Sequence, residues 1–372
     1  MSRRWRRFCP AKGGRSERSM SGLFTLAKEL QGLNVTLQEK RNERADQSAV
    51  RAALETNVGE FVRAKRLSEQ QIRELFQGRS LVGVDGSIHQ FGSAYPYTIH
   101  LYKALAKSTI PSRDGSSSVE QVSMFSPLQA DDHAAVRQFV QERRAELRVE
   151  PQEDRLTERD LAEQQAYQIL ADQKLVELEL QVAIDAIDRF RPFLMLMDGG
   201  FSRLKGKGGE RWEQFEEKVT DSDTIVVGVI EEVGSYRLKS RLDDVDERLL
   251  NGYIRGHDRE VMFNLLEEGE WLKTSLERPI KNEFYTVFHR LSDQPQAGAC
   301  DFLREQAQRV DEVIDFLYTI TPRKSRGIPL WLDLVDAEAR LTKKQVEMIV
   351  RTNLDQEIVE SFLRPQRERR DF

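Results

Sequence analysis

The chain has little with which to do cysteine or zinc chemistry. Among 372 residues there are two cysteines, Cys9 and Cys300, and five histidines, His89, His100, His133, His257 and His289. Two thiols cannot frame a disulfide scaffold or a thiolate metal site, and their scarcity predicts a reducing, cytoplasmic setting. No two histidines show the H-x-x-x-H spacing of a helical zinc hydrolase. No apolar run approaches the ~20 residues that cross a bilayer, so no membrane span is expected. Glycine (22) and proline (11) are too sparse for a collagen-like or low-complexity chain. Basic residues are outnumbered, 57 Lys+Arg against 62 Asp+Glu for a net charge of −5, which counts against a generic nucleic-acid binder.

What is present is enough apolar material for a core, 39% of residues, beneath a surface that must hold most of the 32% that are charged. At about 150 residues per domain the length suggests two units or one large domain with insertions. The first twenty residues hold seven basic groups and one acid without an apolar signal core, so residues 1–20 read as a basic, disordered leader, with Met20 an alternative start. Residues 356–372 form a basic tail. The remainder is therefore more acidic than −5 implies, and any contact with nucleic acid must be local.

Leu23, Leu26, Leu30 and Leu33 begin a helical pattern that runs to Phe76, with a capping box at Ser68 to Gln71, so residues 21–78 read as a helical arm for packing, dimerisation or a partner. From residue 79 to 355 the texture changes. LVGVD (81–85), YTIHLYKAL (97–105) and 121–125 read as strands, followed by a long helical stretch over 131–190 interrupted near Pro151. FLMLMD (193–198) and TIVVGVI (224–230) are apolar runs suited to a sheet buried on both faces. FYTVFHRL (284–291) adds a strand, and helices return from 309 to 363. The fold class this predicts is α/β: a mixed central sheet with flanking helices and an N-terminal helical arm.

Two of these strands are read as delivering an aspartate to the strand tip, Asp85 before Gly86 and Asp198 before Gly199, where an open turn leaves room for a ligand. A lone Asp-Gly is an ordinary turn dipeptide; two on separate apolar strands are more than that. The third acid is Glu179, whose helical neighbours Leu175, Val176, Val182, Ala183 and Ala186 are all apolar, whereas Glu177 has Gln173, Lys174 and Gln181 at the same offsets. A carboxylate on a buried stripe needs compensation, from a basic side chain or from a metal ion. Two strand acids and an inward helix acid suit two Mn2+ or Mg2+ ions, which prefer carboxylate oxygen and serve phosphodiester hydrolysis.

These residues resemble the NurA nuclease family: VDGS at 84–87, a helical Glu followed nineteen residues later by LMDGG, the strand IVVGVI, and a late G-I-P-L…D segment. The resemblance spans roughly residues 80–350. It implies an RNase H-like core, a homodimer, DNA cleavage with Mn2+, and partnership with the hexameric ATPase HerA in DNA end resection and double-strand break repair. It assigns Asp85, Glu179 and Asp198 as metal-binding catalytic acids. The family's late Tyr-Pro, with His or Asp eight residues after the Tyr, falls here on Ile328-Pro329, which makes Asp336 the candidate fourth ligand, a solvated helix residue being the alternative. Two departures stand out: no aromatic occupies position 328, and Glu231-Glu232 stand where the family places a Lys, so that either Lys239 takes the phosphate role or the substrate is handled differently.

For holding DNA, 199–209 reads as a Gly-rich basic loop carrying Arg203, Lys205 and Lys207. It lacks the Gly-Lys-Ser/Thr ending of an ATP-binding loop. Arg326 before the Ile328-Pro329 turn and Ser87 beside the first acid complete the predicted substrate contacts. Two alternatives accompany the DNA nuclease: a nuclease for RNA or hybrids, and a catalytically degenerate adaptor of a translocase ring.

Overall fold

Apolar runs that cannot face water on either side force their strands into the middle of a sheet, and this arrangement governs the computed structural model. It describes residues 16–44, 46–92, 95–143, 147 and 158–363. The basic leader up to residue 15 and the tail from 364 lie outside the described residues. Helices α1 (Ser16–Asn42) and α2 (Gln47–Asn57) lead into strand β1 (Gly59–Arg63) and helix α3 (Glu69–Phe76). A meander of β2 (Leu81–Gly92), β3 (Thr98–Ser108) and β4 (Ser118–Phe125) follows, then α4 (Ala130–Arg143) and α5 (Glu158–Phe190). Next come β5 (Leu194–Asp198), α6 (Phe201–Gly208), α7 (Glu210–Ser222) and β6 (Ile225–Ile230). Helices α8 (Arg237–Asp243) and α9 (Asp258–Met262) precede β7 (Glu270–Thr274), β8 (Phe284–His289) and β9 (Gly298–Leu303); α10 (Val310–Ile320), α11 (Leu330–Ala339) and α12 (Lys343–Asn353) follow.

Among the described residues the strands form one mixed sheet in the order β1-β7-β8-β9-β6-β5-β2-β3-β4. The antiparallel β2-β3-β4 meander joins, through the α5 crossover, to β5 parallel to β2 and β6 parallel to β5, which is the RNase H-like arrangement expected. Side chains alternate across the central strands. Leu81, Leu194, Leu196 and Val227 pack with Ile314, Leu317 and Leu332 on the α10/α11 side. Val82, Val84, Met195, Met197 and Val226 pack with Val176, Leu180 and Ala183 of α5 and with Trp212 and Phe215 of α7 on the other. Burying each large side chain here contributes about 1.5–3 kcal/mol, which offsets the burial of a carboxylate on the same α5 stripe.

Several expectations need correction. Residues 59–63 are an edge strand rather than helix: Gly59, with no Cβ, lies against the Lys273–Thr274 backbone of β7, closer than any side chain allows. Helix α1 begins inside the segment read as leader, and Leu23, Leu26, Leu30 and Leu33 are all exposed on it. Strand β2 does not end at Asp85 but continues to Gly92, held by eleven residue pairs with β3. Strands β7 and β9 had no counterpart in the sequence reading.

Candidate active site at the end of the parallel strands

Register brings the two aspartates together. Strand β2 pairs in parallel with β5 up to Val84 and Met197, so one further step sets Asp85 level with Asp198. Side chains at one level of adjacent strands share a face about 4.8 Å apart. By alternation with Leu81 and Leu194 that face is the one covered by α11, which carries Asp336. Asp198 lies at the exposed tip of β5, as expected; Asp85 is buried in mid-strand, at the point where β5 stops and opens a notch beside β2.

Glu179 reaches the notch from the opposite side. A Cβ at Gly86 would stand 2.7 Å from Glu179 Oε1 and 2.8 Å from Leu175 Cδ1, so this glycine serves close approach of helix to strand, not a turn. Glu179 is buried and Glu177 exposed, as the helical pattern predicts. The basic partner left open by the sequence is present: Arg203 donates to both carboxylate oxygens of Glu179, at 2.9 and 3.2 Å.

The electrostatics follow from four acids in one place. Burial first, then repulsion from Asp198, pushes Asp85 up to about 7; Glu179 and Asp336 add to the rise, and the Gly86 N–H, donating to Asp85 Oδ1 at 2.7 Å, opposes it. Burial also raises Glu179 above the ordinary carboxylate range, against the pull of Arg203. Asp198 is raised because protein crowds its inner side, with Arg203 and Arg326 opposing and Asp336 and Glu231 adding. Burial works against the charge on Arg203, but Glu179 holds its pKa above the usual value.

The predicted cations divide. Residues 201–208 form a helix, not a loop, because Phe201, Leu204 and Gly208 bury one face against α5 and Trp212. That helix aims Arg203 at Glu179. Lys205 and Lys207 lie on its outer side, paired with Glu283 and Asp172, each at 2.9 Å. Arg326 binds Glu231 at 2.8 Å, Asp333 at 2.7 Å and Asp336 at 3.2 Å, and so belongs to the cluster. Ser87 is occupied structurally, its Oγ accepting from Leu341 N–H at 2.9 Å. Lys239 is not gathered into this group: it pairs with Asp243 one turn on, and its stem packs by Gly256.

One supporting group was missed. Fully buried Asp301 of β9 accepts from the Phe201 N–H at 3.0 Å, from Lys281 Nζ at 2.6 and 2.7 Å and from the Thr286 hydroxyl at 2.7 Å. It anchors the start of α6, and with it the turn that follows Asp198. An acid inside the apolar run Ala-Cys-Asp-Phe-Leu is the same kind of signal that revealed Glu179.

Among the described residues no three His, Cys, Asp or Glu groups are arranged to hold a metal ion. The chemistry of the set nevertheless fits one. The donors are all carboxylates, and their mutual repulsion is relieved by a hard divalent cation. None of the helices described is long and apolar enough to cross a membrane.

A search of curated proteins returned no match. Among solved structures the chain is similar to the NurA nuclease from Sulfolobus solfataricus, at 14% identity over 90% of this chain and 95% of that one, with a TM-score of 0.51. It is more loosely similar to the catalytic domain of human Endonuclease V, at 13% identity over 85% and 97% of the two chains, TM-score 0.32. The model of the NurA domain matches residues 79–341, from just before β2 to the end of α11, and so takes in all four acids. The chain therefore belongs to the NurA family of nucleases.

Proposed function

We propose that this nuclease is a Mn2+- or Mg2+-dependent deoxyribonuclease whose metal ions are held by Asp85, Glu179, Asp198 and Asp336. The observation that carries this reading is the register of β2 on β5, which sets Asp85 beside Asp198 facing the helix of Asp336. Bound divalent ions supply activation of the attacking water and neutralisation of charge at the scissile phosphate. The chain's own residues do the positioning. Arg203 orients Glu179, Arg326 orients Asp336, and Asp301 with Lys281 fixes the turn behind Asp198. Arg326 and Arg203 are the cations nearest the phosphate, with Lys205 and Lys207 further along α6 for the DNA backbone; their surface ion pairs contribute little and exchange readily for phosphate. Ser87 and Lys239 act, on this reading, through the strand and helix that bear them.

The family resemblance extends the proposal to a homodimer working in the cytoplasm with a HerA-type hexameric ATPase in end resection and double-strand break repair. The exposed leucines of α1 support an assembly role for the arm. A second reading, a degenerate adaptor on a translocase ring, is favoured by Glu231 in place of the family lysine and by Glu179 already satisfied by Arg203. The discriminating experiment offers end-labelled duplex DNA, single-stranded DNA, RNA and hybrid to the protein with Mn2+ or Mg2+, with and without the ATPase. Metal-dependent loss of DNA label supports the proposal. Cleavage confined to RNA or hybrid, or no cleavage under any condition alongside a stable ATPase complex, contradicts it.

A further inference from the structure

The four acids are not held alike. Asp85 and Asp198, on the strands, have no ion-pair partner among the described residues, whereas both acids on helices are matched with arginines. Asp336 is bound by Arg326 at 3.2 Å and by Arg340 at 3.0 Å. Arg326 stays paired if Asp336 turns away, because Glu231 and Asp333 also hold it, at 2.8 and 2.7 Å. Arg203 has no such second partner. Its only ion pair among the described residues is with Glu179, and it engages both carboxylate oxygens, at 2.9 and 3.2 Å.

The guanidinium also stands where a cation shared by these acids belongs. A Cβ at Gly199 would lie 3.5 Å from Arg203 Nη1, so the group rests against the residue that follows Asp198. Glu179 Oε1 in turn abuts Gly86, the residue that follows Asp85. One fixed positive charge thus bridges the helix acid and the strand acids, and Arg203 feels the charges of Asp198 and Asp85 as well as that of Glu179. A carboxylate shared between a guanidinium and a divalent ion sets two cations side by side, which their repulsion opposes. Glu179 therefore serves an ion only as Arg203 withdraws. The side chain of Arg203 is 35% exposed and that of Glu179 4%, so the arginine, carried on an eight-residue helix, is the one free to swing outward. Off Glu179 it needs another anion. Phosphate, which a guanidinium binds through two parallel N–H donors, is the anion that a nucleic acid brings.

We propose that Arg203 is a counter-ion gate: in the DNA-free protein it keeps Glu179 out of the metal centre, and on DNA binding it passes to a backbone phosphate and releases Glu179 as a ligand. Divalent ion and DNA then bind cooperatively, each tightening the other by one common factor. The proposal rests on the nuclease reading and adds the regulation of its metal centre, which is held short of full loading until substrate arrives.

The test is read by binding, apart from cleavage. Mn2+ affinity is measured without DNA, from the electron paramagnetic resonance signal of the free ion, for the parent, Arg203→Gln and the double variant Glu179→Gln/Arg203→Gln. Removing the gate leaves Glu179 free, so Arg203→Gln binds Mn2+ about tenfold or more tighter than the parent. The double variant deletes a pair that already cancels and leaves no buried charge unmatched, so it keeps the fold and stays within about threefold of the parent. Arg203→Gln no tighter than the parent, or a double variant about tenfold weaker, overturns the proposal, since Arg203 would then be positioning a Glu179 that already binds the ion. If Arg203→Gln does not fold without the ion, the double variant decides alone. Transfer to phosphate is read by fluorescence anisotropy of labelled DNA in Ca2+, which takes the same oxygen donors. The slope of log affinity against log salt is shallower by about one for Arg203→Gln. An unchanged slope also overturns the gate, because Arg203 would have stayed on Glu179. Failure of the parent to cut any DNA would refute the nuclease reading and leave the Mn2+ comparison standing.

Discussion

Replacing Asp85 by Asn should stabilise the metal-free protein, and by an amount that depends on pH in a defined direction. Asparagine keeps the size of the side chain and an oxygen to accept the Gly86 N–H, but removes the charge that burial and Asp198 oppose. A carboxyl raised from 3.8 to about 7 in the fold binds its proton more tightly there than in the unfolded chain. Its stabilising contribution is therefore complete below pH ~4 and is lost as pH rises through 7. Relative to acid pH the fold therefore loses about 4 kcal/mol at pH 8, where the group is ionised in place, and about 2 kcal/mol at pH 5, where only the unfolded chain has released the proton, from ~1.36 kcal/mol per pKa unit. Urea unfolding in EDTA should thus show Asp85→Asn more stable than the parent at pH 8, with the gap about 2–3 kcal/mol smaller at pH 5. Added Mn2+ should stabilise the parent and leave the variant nearly unchanged, because the ion binds the native cluster. A variant no more stable than the parent at pH 8, or a gap independent of pH, would refute the crowding of carboxylates inferred here.

The remaining predictions concern the supports of the cluster. Glu179→Gln leaves Arg203 partly unpaired in a buried site and should cost about 3 kcal/mol along with cleavage, whereas Glu177→Gln should change neither, as measured by urea midpoints and a nuclease assay. Gly86→Ala drives a methyl into Glu179 and Leu175, so about 1–3 kcal/mol should be lost and metal-dependent cleavage should fall even though no acid has been altered. Lys281→Met strands the buried Asp301 carboxylate and should cost about 3–5 kcal/mol in the same unfolding assay; a loss under 1 kcal/mol would show that α6 is anchored otherwise.

The parts of this site that could be read from the sequence are those written in local patterns. Strands β5 and β6 are apolar runs, and Glu179 breaks a stripe of period 3.6, so both could be recognised without knowledge of partners. The Asp-Gly pairs at 85–86 and 198–199 look alike in the sequence, but register on β5, not a turn, sets Asp85 level with Asp198. Gly86 reads as a turn, while the length of β2 is set by pairing with β3, and the need for glycine comes from a helix more than ninety positions away. The glycines at 206, 208 and 209 suggested a loop, but burial of Phe201 and Leu204 against α5 outweighs their weak helix propensity. The helix, unlike a loop, turns Arg203 onto Glu179, a contact no local pattern announces. Asp301 carried a legible signal that went unused. Lys281 carries none, since its contact with Asp301 exists only once β8 and β9 are paired.

The most direct measurement is the rate of Mn2+-dependent degradation of end-labelled DNA by the parent, Asp198→Asn and Glu177→Gln at equal concentration, with folding confirmed by circular dichroism. The carboxylate cluster predicts loss of about a hundredfold or more for Asp198→Asn and parental rates for Glu177→Gln. Undiminished cleavage by folded Asp198→Asn would place the chemistry elsewhere in the molecule.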